Sequence, residues 1–169
     1  MLAITFRSAS LADVPAMAGL REASGWAGGA GAETMGRYLT GAHHPQQALE
    51  PRAVFVADNA GAVVGFVAGH LTTRLGCAGE LQWLLVAPAH RGGWVAANLL
   101  AALATWFMHQ GATRVCVNVA PENVRARRFY ARRGAVELSE HWMVWSDVTV
   151  AADAAGPTRA TRPAEESSS

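Results

Sequence analysis

Residues able to do chemistry crowd into two stretches of the chain and a few isolated positions. The first stretch is Glu80 to Ala96, an apolar run ending in Val86-Ala-Pro88-Ala-His-Arg91-Gly92-Gly93-Trp94-Val95-Ala96. A tight Gly-bearing turn into a helix aims unpaired backbone N–H groups at one point, with the positive end of the helix dipole behind them. Such a point suits an anion, a pyrophosphate for example. A turn that needs glycine only for its backbone angles is the other reading. The second stretch, Asn123-Val-Arg-Ala126-Arg-Arg-Phe129-Tyr130-Ala-Arg-Arg-Gly134, sets a phenol among arginines. Glu80 at the start of the first stretch, and His70 and His141 outside both, are candidate proton acceptors, and each also fits a structural or exposed role. Cys77 and Cys116 form no CxxC pair, so neither a disulfide framework nor a thiolate zinc site is expected, and packing is their simplest role.

The elements that position these residues follow from periodicity. Residues 2–8 alternate weakly and predict a first strand. Ser10 or Asp13 can cap a helix running to Ala23. Residues 25–33 form a Gly-rich stretch, read as a loop, and a short helix covers Glu33 to Thr40. Ala53–Asp58 and Val63–Leu71 flank Asn59-Ala60-Gly61, the signature of an antiparallel hairpin. Glu80–Val86 is a strand ended by Pro88. Ala96, Leu99, Leu100, Leu103 and Phe107 then fall on one helix face that Gly111 stops. Arg114–Val119 is a strand, Pro121–Arg133 a helix ended by Gly134, and Val136–Leu138 with Trp142–Val148 a closing pair of strands. A mixed sheet with helices on both faces is expected. Residues 151–169 lack apolar periodicity and are expected to be a disordered tail, leaving 1–150 as one domain.

Composition narrows the function. The 169 residues carry 14 basic and 13 acidic side chains, a net charge of +1. That balance argues against a nucleic-acid footprint or a polybasic membrane face. Every basic residue is arginine, so Schiff-base and phosphate-loop lysine mechanisms are excluded. Hydrophobic residues make up 51% and charged residues 16%, a globular composition. The first residues do not follow signal-peptide order, and Trp94–Met108 is too short to span a bilayer. A cytoplasmic protein is the expectation.

Together the two stretches resemble the GNAT acyltransferase superfamily. Its first motif, V-x-P-x-x-R-G-x-G-x-G/A, is similar to Val86 through Ala96, and its second, N-x-x-A-x-x-F/L-Y-x-x-x-G-F, to Asn123, Ala126, Phe129, Tyr130 and Gly134. The resemblance spans residues 3–148. It implies an α/β (α+β) fold with a mostly antiparallel sheet of about seven strands flanked by about four helices. It also implies an acetyl-CoA-dependent N-acetyltransferase with no metal. On that resemblance Arg91, Gly92, Gly93, Trp94, Val95 and Ala96 form the pyrophosphate loop. The Leu84 amide polarises the thioester carbonyl, and Leu85 and Val86 hold the pantetheine arm. Asn123, Ala126 and Phe129 join the cofactor side, and Tyr130 reprotonates the leaving thiolate. One arginine of the Arg125, Arg127, Arg128, Arg132 and Arg133 cluster would meet the ribose phosphate; a solvated helix face is the other reading.

Two positions depart from the family pattern. Trp94 replaces a glycine, and Ala135 a phenylalanine. With Gly92-Gly93 supplying flexibility, the indole is expected to turn outward or flank the cofactor; a block to close approach is the alternative. An amine nucleophile must lose a proton before attack, and Glu80 matches the place of a glutamate base in several family members. Trp26, Trp83, Trp142 and Trp145 could line an acceptor pocket, with core packing equally fitting for Trp83 and Trp145. Glu22, Glu33, Glu80, Glu137 and Glu140 could recognise a cationic amine, which favours a small primary amine as acceptor. Other readings are a catalytically weak CoA-binding sensor and a peptide N-terminal acetyltransferase. No nucleic-acid or membrane partner is expected, and a homodimer is compatible with these features.

Overall fold

The computed structural model describes residues 3–24 and 31–153. Its strands are β1 (Ile4–Ser8), β2 (Ala48–Asn59), β3 (Ala62–Thr72), β4 (Gly79–Val86), β5 (Val115–Asn118), β6 (Val136–Ser139) and β7 (Trp142–Trp145). The helices are α1 (Val14–Ala23), α2 (Ala32–Thr40), α3 (Val95–His109), α4 (Val124–Arg132) and α5 (Thr149–Asp153). The strands form one sheet in the order β1-β2-β3-β4-β5-β7-β6. Only β4 and β5 run parallel, as the α3 crossover between them requires. The expected mixed, mostly antiparallel sheet is therefore the observed one.

Two apolar layers hold helices to the sheet. On one face Val14, Met17, Met35 and Tyr38 of α1 and α2 pack on Val54, Val56 and Phe66. On the other, Leu99, Leu100, Leu103 and Phe107 of α3 cluster with Val67, Leu81, Val115 and Tyr130. Small residues let α3 lie close: a Cβ on Gly79 would meet Phe107 Cε1 at 2.5 Å, and one on Gly69 would meet Leu103 Cδ1 at 2.9 Å. The helix face read from periodicity is the buried one, because burial of a 3.6-residue stripe is what the pattern encodes.

The chain differs from expectation mainly at element ends. Strand β2 begins at Ala48, well before Ala53, and its register with β3 shifts between Leu49 and Arg52. Pro51 lies inside that interval and has no N–H for the ladder, which hid the strand from an alternation test. Strand β7 ends at Trp145, and α5 follows where strand and tail met in the sequence reading. Asp147 Oδ1 accepts from the Thr149 amide at 3.0 Å and from its hydroxyl at 2.6 Å, which starts this helix. Ala151 is buried in the core and Ala152 packs against it, so the packed fold runs through Ala152. A five-residue helix is too short to show a period, hence five helices among the described residues where about four were expected. Most of the Gly-rich loop, with Trp26, and residues 154–169 lie outside the described residues.

Candidate active site

The parallel contact between β4 and β5 is short. Gly79, Glu80 and Leu81 pair with Val115, Cys116 and Val117, and β4 then continues to Val86 with no strand on that side. Its other side stays on β3. Ala87 N–H donates to Val64 O at 2.8 Å, and the same register pairs Phe66 with Leu85 and Val67 with Leu84. Antiparallel ladders alternate bonded and unbonded pairs. Leu85 therefore bonds β3, whereas the N–H and C=O of Leu84 and Val86 point away from β3 into the gap left by β5. A one-residue register shift at Gln82, between the Leu81 and Trp83 pairings, ends the parallel stretch and aims this edge. Leu85, expected among the cofactor contacts, turns its side chain to the α1–α2 face instead.

Beyond the gap the chain makes a short 3-10 turn, Pro88–His90, and enters α3. Gly92 sits at φ 76°, in the left-handed region that favours glycine. Trp94, at φ −86° and ψ −7°, holds ordinary right-handed helical backbone, so no glycine is required there. Its indole packs edge-on against Phe6 of β1, ring centroids 5.8 Å apart, and is spent on the core. The first turn of α3 has no capping side chain and no acidic residue, and Asn98 N–H is the first to reach back, to Trp94 O at 3.0 Å. The N–H groups of Val95, Ala96 and Ala97 are the open donors of this end. A hollow of about 220 Å³ opens here, lined by His90, Arg91, Gly93 and Trp94 among others. Arg91 Nε donates to Val86 O at 3.0 Å and fixes the loop against the end of β4. A larger hollow of about 430 Å³ lies away from the gap, between α3 and the β1–β2 edge, where Phe6, Asn98 and Trp106 line it.

Helix α4 supplies the phenol. Asn123 Oδ1 accepts from Ala126 N–H at 3.2 Å, so this side chain caps the helix. Phe129 and Tyr130 meet edge-on at 5.4 Å, and Tyr130 stands at 89° to Trp145 at 5.5 Å. Tyr130 is 6% exposed, and its hydroxyl has no hydrogen-bond partner among the described residues. Burial pushes the phenol well above its ordinary pKa, which keeps it protonated and makes it a weaker acid than a free phenol. The arginines divide. Arg127 ties α4 to the end of β5 through Val119 O at 3.0 Å and to the β6–β7 turn through the Glu140 carbonyl, and Arg133 lies over the Phe129 ring at 5.3 Å. Arg125, Arg128 and Arg132 are exposed.

On the opposite face of the sheet Glu80 is 4% exposed and flanked by His70 and Arg74. Its Oε2 lies 2.7 Å from His70 Nε2, and its Oε1 lies 3.1 Å from Arg74 Nε. His70 is fully buried, and its Nδ1 lies 2.8 Å from the Tyr38 hydroxyl. Arg52 stands over the Tyr38 ring at 4.7 Å and Trp83 flanks it at 4.9 Å. Burial raises the Tyr38 phenol, so it too stays protonated. Arg74 bonds Gln46 O at 2.6 Å and covers the Trp142 ring at 5.1 Å. Tyr38, Arg74 and Arg52 are contributors that sequence reasoning missed. His70 and Glu80 pair directly across the β3–β4 hairpin only because of the one-residue shift at Gln82; an unbroken count back from Pro88 would have set His70 opposite Leu81. Tyr38 comes from a distant helix and carries no register signal.

The remaining candidates separate cleanly. His141 is exposed, and its carbonyl accepts from Val119 N–H at 2.8 Å. Glu22, Glu33, Glu137 and Glu140 are exposed, far from forming a buried cation site with Glu80. Trp145 is fully buried and donates to Arg133 O at 3.1 Å, a core role; Trp83 and Trp142 are half-buried around the Glu80 cluster. Cys77 and Cys116 are buried together with Val144, and burial pushes the Cys116 thiol up, which leaves it a poor nucleophile. No group of side chains among the described residues has the makings of a metal site.

Comparison with known proteins meets this geometry. The sheet superposes on a Thermus thermophilus acetyltransferase at 19% identity and TM-score 0.65, covering 85% of this chain and 96% of that one. It also matches PaiA N-acetyltransferase from Thermoplasma acidophilum, solved in complex with coenzyme A, at 17% identity and TM-score 0.61 over 85% and 99% of the two chains. A chimera of the spermidine N-acetyltransferase SpeG from Vibrio cholerae aligns at 17% identity and TM-score 0.65 over 88% and 98%. Likenesses at this identity show the fold. No curated protein matches the chain. The model of the acetyltransferase (GNAT) family matches residues 26–135, well over half of the sequence, and the chain belongs to that family.

Proposed function

We propose that the protein transfers an acetyl group from acetyl-CoA to a small primary amine by direct attack in a ternary complex. The observation that carries this reading is the gap beside β4. It leaves the Leu84 and Val86 amides without strand partners, ahead of an open helix end that suits phosphates. The Val86 backbone and the Val95–Ala97 amides bind the pantetheine arm and the pyrophosphate. The Leu84 N–H donates to the thioester oxygen as negative charge builds there. Glu80 receives the proton that the amine loses. Four residues at about 3.3 Å each set the Glu80 and Leu84 Cα atoms about 13 Å apart along the strand, so that proton travels through water. As the C–N bond forms and the C–S bond breaks, Tyr130 gives its hydroxyl proton to the sulfur and regains one from water.

Trp94 was the feature favouring a non-catalytic CoA sensor. Its packing on Phe6, with ordinary helical backbone, weighs against that reading, while the indole also lines the hollow beside the loop. The amine reading draws on Glu80 with Trp83 and Trp142 on the acceptor face. The exposed glutamates contribute nothing to it. The test is calorimetry with acetyl-CoA followed by thiol release over an amine panel. Binding with thiol release on a primary amine is expected; absence of binding at millimolar acetyl-CoA overturns the proposal.

A further inference from the structure

The hydrogen-bonded chain behind Glu80 has no task in the steps above. It is closed and specific: Tyr38 and His70 are both fully buried, and both ring nitrogens of His70 are engaged. Only a hydrogen on Nε2 allows His70 to face a carboxylate at 2.7 Å; a bare Nε2 would set lone pair against lone pair. The other nitrogen then accepts from the Tyr38 hydroxyl, which is held protonated. Tyr38 itself cannot swing, clamped between Arg52 and Trp83. A carboxylate offers about four lone-pair sites. His70 takes one on Oε2; Arg74 Nε lies 3.1 Å from Oε1 as an ion pair without hydrogen-bond geometry, so His70 is the directional partner of the carboxylate. A buried array of this kind is costly compared with apolar packing of the same volume.

We propose that His70, oriented by Tyr38, is a positioning residue for Glu80, its Nε2–H holding the carboxylate in the one orientation that accepts the amine proton through water. The inference rests on the acetyl-transfer reading in which Glu80 is the base. Neither Tyr38 nor His70 touches substrate; both act through Glu80. The arrangement parallels the way a ligating or catalytic side chain is fixed by the partner behind it.

Steady-state thiol release with acetyl-CoA and the best amine tests this on His70→Gln, His70→Asn, Tyr38→Phe and Glu80→Gln. Glutamine can set a side-chain N–H where the imidazole Nε2–H stands, and asparagine cannot. His70→Asn is expected to lose about 10- to 100-fold in kcat with KM for acetyl-CoA within about twofold, and His70→Gln to recover to within about fivefold of the parent. Tyr38→Phe, which removes only the orienting hydroxyl, is expected to lose about threefold. Wild-type kcat in His70→Asn beside an impaired Glu80→Gln overturns this inference and leaves the base assignment standing. Wild-type kcat in Glu80→Gln overturns the base assignment, and this inference with it. Equal losses in the glutamine and asparagine variants overturn positioning by the Nε2–H. Should the His70 variants fail to fold, nitrogen-15 NMR of the intact protein decides. Hydrogen on Nε2 alone is expected for His70; hydrogen on Nδ1 overturns the proposal.

Discussion

The two faces of the sheet solve different problems with different materials. On the α3 side the candidate site is built from backbone: the Leu84 and Val86 edge, the Gly92 turn and the open amides of α3. These pieces are contiguous between Glu80 and Ala97, and their geometry survives most changes of side chain. On the α1–α2 side the site is built from side chains that arrive from α2, β3, β4 and the turn after β3. Each depends on the others being present. A backbone site can therefore drift in sequence while keeping its geometry, whereas the Glu80 cluster depends on the identity of its side chains.

Breaking the cluster should give the largest effect. Glu80→Ala leaves the buried His70 Nε2–H without an acceptor and the half-buried Arg74 without its ion-pair partner. Leaving a buried donor unsatisfied costs about 1–3 kcal/mol, and more where the group is charged. Urea unfolding is expected to show a loss of that size, with activity abolished. A loss under about 1 kcal/mol would mean that the cluster is no more interdependent than an exposed ion pair.

The backbone side is probed by deleting one donor without touching the ladder. Leu84 N–H makes no bond to β3, so Leu84→Pro removes a gap-facing donor at a position where proline is tolerated in a strand. Loss of one oxyanion donor lowers kcat by about 10²- to 10³-fold. The expected result is that loss with acetyl-CoA binding retained, while Leu84→Ala keeps kcat within about threefold. Equal kcat for the two variants would mean that the Leu84 amide does not take part.

The same contrast explains what could be read from sequence. The α3 stripe and the β2–β3 hairpin are local patterns, and burial enforces their period, so they were legible residue by residue. The loop was legible because Gly92 must adopt a positive φ, and a glycine pair before a helix advertises that need. Trp94 was ambiguous, since its role depends on Phe6, more than eighty residues away in the chain. Glu80 was visible as a strand residue, but its neighbours were not. The short α5 and the start of β2 escaped because a five-residue helix and a proline-broken strand carry too little periodicity.

Restoring the family glycine at Trp94 sharpens the comparison from the backbone side. The indole is bound to Phe6 and the core, and the backbone there needs no glycine. Trp94→Gly should leave acetyl-CoA affinity within about threefold while destabilising the fold by about 2–4 kcal/mol, through lost aromatic burial and a more flexible helix entry. Affinity that rises tenfold by calorimetry would show that the indole obstructs the loop.

A smaller effect comes from an ion pair that belongs to neither region and so calibrates both. Asp13 accepts from Ser10 N–H at 2.8 Å and from Arg7 NH1 and NH2 at 2.8 and 2.9 Å, at the start of α1. The Arg7 guanidinium, then the Ser10 amide, holds its carboxyl at about 2 against burial, which pushes the other way. A folded value below the unfolded one stabilises the fold above the unfolded pKa, near 3.9, and that contribution is lost as pH falls towards about 2. Arg7 is 41% exposed at its side chain, so solvent screens the pair and the contribution is about 1 kcal/mol. Asp13→Asn should therefore be less stable than the parent by about that amount at pH 7, and the two urea curves should converge between about pH 4 and pH 2. A gap that stays constant over that range would assign the loss to the capping geometry of Asp13 and not to its charge.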